Sequence, residues 1–300
     1  MILTVTLNLA LDVTYDVPSV AWDGVNRVGA VHRRAGGKGV NVARVLSALG
    51  REVLITGLAG GPTGRLIEQD LRLSGLPHRL CAIAGESRTT LAVCETPAGR
   101  HRATTLFNEP GPEVGADELA AFTRLFTSLA ADAEFVVLSG SLPRGVPADI
   151  YATLAGLSPA PVIVDADGEA LRHAPGGRPS VVKPNADELA RAVPGGAPDA
   201  GAQALRGRGA ESVVVSMGAE GLLAVTGEGT FRARMPYTVD GNPTGAGDAL
   251  VAGLALDPAR PWPERLRTAA ALGAAAVAAP VAGEIDRDVY ADIHPQIVIS

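Results

Sequence analysis

Lysine is almost absent: of the 26 Lys and Arg residues in the 300-residue chain, only Lys38 and Lys183 are lysine. In a chain that otherwise uses Arg, two ammonium groups stand out, because Lys offers a compact point charge where Arg offers a planar fork. Cysteine is scarce too. Cys81 and Cys94 form no Cys-x-x-Cys pair, which argues against a disulfide framework or a cysteine metal site and points to a reducing compartment. His32, His78, His101, His173 and His294 are scattered without ligand spacing, so no zinc site is expected. Charged residues make up only 19% of the chain, and the net charge of -6 leaves no concentrated basic surface for a nucleic-acid backbone. Long apolar runs are missing: the longest uncharged stretch, 268–283, contains Pro280 and falls short of the roughly 20 residues of a membrane span. Residues 1–10 lack a basic lead and run into Asp12, which reads as a strand rather than a signal peptide. A cytoplasmic protein with neither nucleic acid nor membrane as partner is the expectation.

What is present is a globular composition, 47% hydrophobic, with 36 glycines and 22 prolines to serve many short connections. Continuous apolar runs of strand length occur at 2–7, 53–58, 135–138, 162–164, 181–182 and 212–215. Continuous rather than alternating runs suit parallel strands buried on both faces. Helical patterns lie between them at 40–49, 63–73, 116–129, 148–157 and 186–192. The βαβα order predicts an α/β fold with a mostly parallel sheet covered on both faces. Two segments break the rhythm, pairing 11–17 with 25–31 and 89–93 with 101–107, the latter through the turn Pro97-Ala98-Gly99. They read either as plain surface hairpins or as a small sheet closing over the strand ends, where ligands of open α/β sheets bind.

Two glycine-rich turns carry the chemistry. Asn242-Pro243-Thr244-Gly245-Ala246-Gly247-Asp248 runs into a helical pattern at 249–255, so inward amides and a helix N-terminus would form an anion hole. Asp248 there is either a first-turn carboxylate favoured by the helix dipole or a base that takes a proton from a hydroxyl attacking a bound phosphate. A dinucleotide fingerprint fails because Leu250 stands where a third small residue is needed. Ala35-Gly36-Gly37-Lys38-Gly39-Val40-Asn41 brings amides, one ammonium and one carboxamide to a common point, a fit for a polar phosphorylated ligand or simply a tight turn. It is no P-loop, since His32 replaces the first glycine of that motif and Gly39 its Ser/Thr.

The two turns together, with Thr6-Leu7-Asn8, Ala10-Leu11-Asp12 and Lys183-Pro184-Asn185 followed by Glu188, make the chain resemble the PfkB (ribokinase-like) carbohydrate kinases over nearly its whole length. Within them it is similar to the hexose-phosphate kinases of the 1-phosphofructokinase and tagatose-6-phosphate kinase kind. The resemblance implies one three-layer α/β/α kinase domain over 1–300, with lid strands within about 11–34 and 88–107. It implies Asp248 as catalytic base and Gly245, Ala246 and Gly247 as the anion hole. Asp12, Gly37, Lys38 and Asn41 would meet the acceptor, with Ser139 at the junction of the acceptor and nucleotide halves. Arg88 would meet the acceptor's existing phosphate, with Arg27 and Arg102 as further cations for a dianion. Lys183, Asn185, Ser216, Gly218 and Gly221 would serve ATP, and Asn185 with Glu188 would position Mg²⁺ through water. Related kinases pair through their lids, which would let Arg27 reach a neighbouring subunit.

Two departures from the family pattern are visible: Leu9 replaces a proline, and Asn242-Pro243-Thr244 replaces a Ser/Thr-Val run. The expected reaction is ATP-dependent phosphorylation of a ketohexose phosphate, fructose 1-phosphate to fructose 1,6-bisphosphate. Tagatose 6-phosphate or fructose 6-phosphate is the alternative acceptor. From another class, a non-catalytic sugar-phosphate sensor would keep the fold without the chemistry.

Overall fold

The six apolar runs all become strands of one sheet in the computed structural model, which describes residues 1–95 and 103–300. In chain order the elements begin with β1 (Ile2–Thr6), β2 (Ala10–Val17), β3 (Ala30–Gly36) and α1 (Lys38–Ala48). They continue with β4 (Val53–Gly60), α2 (Gly61–Leu73), β5 (His78–Ile83), β6 (Arg88–Glu95), β7 (Ala103–Asn108) and α3 (Ala116–Ala130). Next come β8 (Phe135–Ser139), α4 (Ile150–Leu157), β9 (Val162–Asp165), α5 (Gly168–His173), β10 (Val181–Val182), α6 (Ala186–Ala192) and α7 (Pro198–Gly207). The chain closes with β11 (Val213–Ser216), β12 (Leu222–Val225), β13 (Thr230–Arg234), α8 (Ala246–Leu256), α9 (Trp262–Ala278), α10 (Arg287–Ile293) and β14 (Val298–Ile299).

Among the described residues the main sheet runs β14-β13-β12-β11-β10-β9-β8-β1-β4-β5, parallel from β5 through β11 and antiparallel beyond. β1 lies inside the sheet between β8 and β4 and is buried throughout, which is why its sequence is continuous rather than alternating. Successive side chains feed opposite cores. Phe135 and Val137 face the layer of α1, α2, α8 and α9, while Val136 and Leu138 face the layer of α3 to α7. α8 and α9 pack closely because Gly253 carries no side chain: a Cβ there would lie 2.6 Å from the Ala269 Cα.

The segments that broke the rhythm form one separate sheet, in the order β3-β2-β6-β7. Its two halves join through a parallel β2–β6 pair, a long-range contact that sequence gives no means to foresee. The strand expected over 25–31 begins only at Ala30 and ends at Gly36, because β2 pairs from Ala10↔Gly36 to Asp16↔Ala30. Before it, Asn26 closes a turn through side-chain bonds to the backbone of Ala21. The Pro97-Ala98-Gly99 turn and Arg102 lie outside the described residues. The hairpin β12–β13, strands β5 and β14, and helices α5, α7, α9 and α10 were not legible as elements. No helix among the described residues is long and apolar enough to cross a membrane.

Candidate active site

The parallel strands end under the small sheet, and side chains from those ends line a cleft of about 710 Å³ between the two layers. The Gly245 turn forms one wall. Gly245 is the N-cap of α8 with φ of 86°, a left-handed conformation, and a Cβ there would fall 2.8 Å from the Ala282 Cβ. Ala246 N–H turns back to the Pro243 carbonyl at 3.2 Å, whereas the N–H of Gly247 has no partner among the described residues. Unpaired amides at a helix N-terminus beside a cleft can take an anion. The Lys183 ammonium lies on the same side, 3.7 Å from where a Cβ on Gly247 would be.

Asp248 follows in the first turn of α8 and is only 6% exposed. Asn41, on α1, donates Nδ2 to its Oδ2 at 2.8 Å, so the two glycine-rich motifs meet across 207 residues. Burial, and then the nearby Asp165 carboxylate, push the Asp248 carboxyl up to about 7, against the pull of Lys38, Asn41 and Lys183. A carboxyl group so placed can exchange a proton near neutral pH, and it also stands in the first turn of α8.

Asp165 is the residue that sequence reasoning missed. It ends β9, is fully buried, and receives both lysines of the chain: Lys183 Nζ at 3.1 Å and Lys38 Nζ at 3.3 Å. Burial pushes its carboxyl up, but Lys183 and Lys38 outweigh that and hold it below the usual range. Lys38 is correspondingly raised, first by Asp165 against its burial, then by Asp248 and Glu188. Ser139, expected at the acceptor, is instead fully buried and donates Oγ to Asp165 Oδ2 at 3.0 Å. It supports the hub from behind because β8 and β9 are paired at Ser139↔Asp165. An acidic residue at the end of a buried strand, where α/β sheets place their ligands, was the available signal.

The lid sheet faces the cleft with alternate residues. One row across it reads Arg34, Asp12, Thr90 and Asn108, by the registers Asp12↔Arg34, Asp12↔Thr90 and Thr90↔Asn108. Thr90 donates its hydroxyl to Asp12 Oδ1. Burial raises the Asp12 carboxyl, partly offset by Thr90 and by the arginines Arg88, Arg34 and Arg44. Asp12 lies directly over Gly36, where a Cβ would fall 1.9 Å from its Oδ2. Gly37 turns into α1 with φ of 115° and lines the cleft beside Lys38. Arg88 also lines it, aimed by bonds from Nε to the Asn8 carbonyl and from Nη1 to the Glu109 carbonyl, both 3.2 Å. Arg27 is exposed and outside the cleft lining, and Arg102 lies outside the described residues.

A second cavity of about 510 Å³ adjoins the first and meets it at Asn185, Ser216 and Gly247. Gly218 and Gly221 line it, while Met235, Val239, Ala270 and Val277 make its apolar walls. Lys183, expected on this side, belongs to the first cleft. Asn185 and Glu188 close a capping box: Asn185 N–H donates to Glu188 Oε2 at 2.7 Å and Glu188 N–H to Asn185 Oδ1 at 2.8 Å. Glu188 Oε1 has no hydrogen-bond partner among the described residues, and the side chain lines the first cleft. No group of three or more metal-ligating side chains occurs among the described residues. One free carboxylate oxygen in the cleft fits Mg²⁺, which keeps its waters and takes few protein ligands, and does not fit a closed protein cage.

The model of the pfkB family of carbohydrate kinases matches residues 5–286. Among solved structures, phosphofructokinase-2 from Escherichia coli with potassium is 30% identical, with 98% of each chain covered and a TM-score of 0.90. The same enzyme with fructose-6-phosphate gives 30% identity, 97% of this chain and 98% of that one, and a TM-score of 0.87. A possible 1-phosphofructokinase from Thermotoga maritima is 25% identical, with 100% of this chain and 98% of that one covered and a TM-score of 0.87.

Proposed function

This chain belongs to the pfkB family of carbohydrate kinases, and from that premise we propose that it transfers the γ-phosphoryl group of ATP to fructose 1-phosphate, giving fructose 1,6-bisphosphate. Phosphoryl transfer to a sugar hydroxyl is the chemistry of the family. The observation that carries the assignment of roles is the Asp248 carboxylate, held by Asn41 beside the Gly245 turn and raised to about 7.

In the proposed step the acceptor hydroxyl oxygen attacks the γ-phosphorus while Asp248 takes its proton. The bond from that phosphorus to the β-phosphate oxygen breaks, and ADP leaves. Amides of the Gly245–Gly247 turn, with Lys38 and Lys183, face the charge spreading over the transferred group. Asp12 and Asn41 orient the acceptor hydroxyls, and Arg88 meets the phosphate it already carries. The apolar second cavity, with Ser216, Gly218 and Gly221, suits the nucleotide. Asn185 and Glu188 would hold Mg²⁺ through water, and the metal would neutralise and orient the nucleotide phosphates. The free thiols Cys81 and Cys94 suit a cytoplasmic enzyme. We further propose that two copies pair through the lid, where Trp22, Val25, Val31 and Phe107 are exposed.

Fructose 6-phosphate is the second reading for the acceptor, favoured by the fructose-6-phosphate complex of the 30% identical Escherichia coli enzyme. Tagatose 6-phosphate offers the same chemistry. ADP release over fructose 1-phosphate, fructose 6-phosphate, tagatose 6-phosphate, ribose and fructose decides among them. The expected result is preference for fructose 1-phosphate; turnover of a free sugar alone would discard the phosphate site.

A further inference from the structure

We propose that Arg34 is a further acceptor-binding residue, the second arginine of the site that holds the acceptor's existing phosphate. The inference rests on the acceptor being a phosphorylated sugar. A dianion held at neutral pH calls for more than one cation, and Arg88 is only one. Among the described residues, five cationic or potentially cationic side chains line the cleft: His32, Arg34, Lys38, Arg88 and Lys183. Lys38 and Lys183 are committed to Asp165 at 3.3 and 3.1 Å. His32 faces Asp16 at 3.6 Å, one row further from Asp12.

Arg34 is different. It stands directly opposite Asp12 in the β2–β3 ladder, on the face that lines the cleft. Its one ion pair among the described residues is Nη1 to Glu284 Oε1 at 3.4 Å, with side chains 22% and 50% exposed. Such a long, half-exposed pair holds a guanidinium weakly, and most of its five donors stay available. Its charge is crowded by a like neighbour, since Arg34 contributes to lowering the Arg44 pKa. An anion entering here relieves that repulsion.

Arg34 and Arg88 sit on strands flanking the one that carries Asp12. Arg34 pairs with Asp12 and Arg88 with Ala10, so they stand two strand spacings, about 10 Å, apart across the sheet and about 7 Å apart along it, a gap that two extended arginine side chains can close on one phosphate from either side. Asp12 between them would then hold the hydroxyls next to that phosphate.

Steady-state kinetics of Arg34→Gln, Arg34→Lys and Glu284→Gln test this, with each sugar phosphate and with free fructose. Arg34→Gln should raise KM for the preferred sugar phosphate by about 10- to 100-fold, while kcat and the KM for ATP change by less than about threefold. Arg34→Lys should recover part of the loss, and Glu284→Gln should leave the sugar-phosphate KM unchanged or lower it. An unchanged KM in Arg34→Gln overturns the assignment, and so does a Glu284→Gln variant that copies it, because the pair would then be a strut. If the wild type phosphorylates free fructose and no sugar phosphate, the phosphorylated-acceptor reading itself falls, whatever Arg34 does.

Discussion

Asp248 keeps its proton to about pH 7 because burial denies its charge water and Asp165 adds a second negative charge nearby. The base form therefore prevails only above that pH, and kcat is expected to rise with pH through a limb near 7. Asp165→Asn removes the second of those causes and should move the limb to lower pH, a shift read directly from the pH profile. It also strips Lys38 and Lys183 of their shared partner, so kcat should fall as well. Asp248→Asn is expected to cost about 10²- to 10⁴-fold in kcat, and turnover that survives it would remove the assigned base. The same group predicts a stability effect. Between its ordinary value of 3.8 and about 7 the folded state binds the proton that the unfolded chain has lost, so its contribution to stability falls as pH rises through that window and stays lost above it. Asp248→Asn should thus raise Tm at about pH 8, with the gain disappearing towards about pH 4.

Two elements set the position of this chemistry, and both depend on glycine for close approach. α8 carries Asp248 and lies against α9 at Gly253, where a Cβ would meet Ala269 at 2.6 Å from its Cα. Gly253→Val forces the helices apart and is expected to cost about 1–3 kcal/mol, measured as a lowered urea midpoint together with reduced kcat. Strand β3 brings Gly36 beneath Asp12, so close that a methyl group on Gly36 would stand only 1.9 Å from Oδ2. Gly36→Ala must displace the carboxylate and should raise the KM for the acceptor far more than the KM for ATP. Helix and strand periods were readable for these elements because their apolar residues recur along the chain. The end of β3 was not readable, since its limits come from pairing with β2 and not from local propensity.

For the whole molecule, the proposed pairing of two copies would rest on the small sheet and its β2–β3 connection. In the connection from β2 to β3, Trp22 is 73% and Val25 86% exposed, and Val31 and Phe107 add apolar surface on the small sheet itself. Pairing through this sheet predicts a dimer by light scattering, and Val31→Asp combined with Phe107→Asp should shift it to monomer; a wild-type monomer would discard the pairing. By itself the sequence determined the α/β class, the two glycine-rich turns, the Asn185/Glu188 pair and the oddity of two lone lysines. Those signals are local, carried by apolar period, glycine spacing and residue type. Only the tertiary structure decided that both lysines close on Asp165, that Ser139 braces that hub from behind, and that Arg34 rather than Arg27 lines the cleft. Lys38 and Asp165 are 127 residues apart, and nothing in a linear pattern reports which buried carboxylate a distant ammonium will find. That is set by strand order and register, which bring the ends of β8, β9 and β10 side by side beneath the lid.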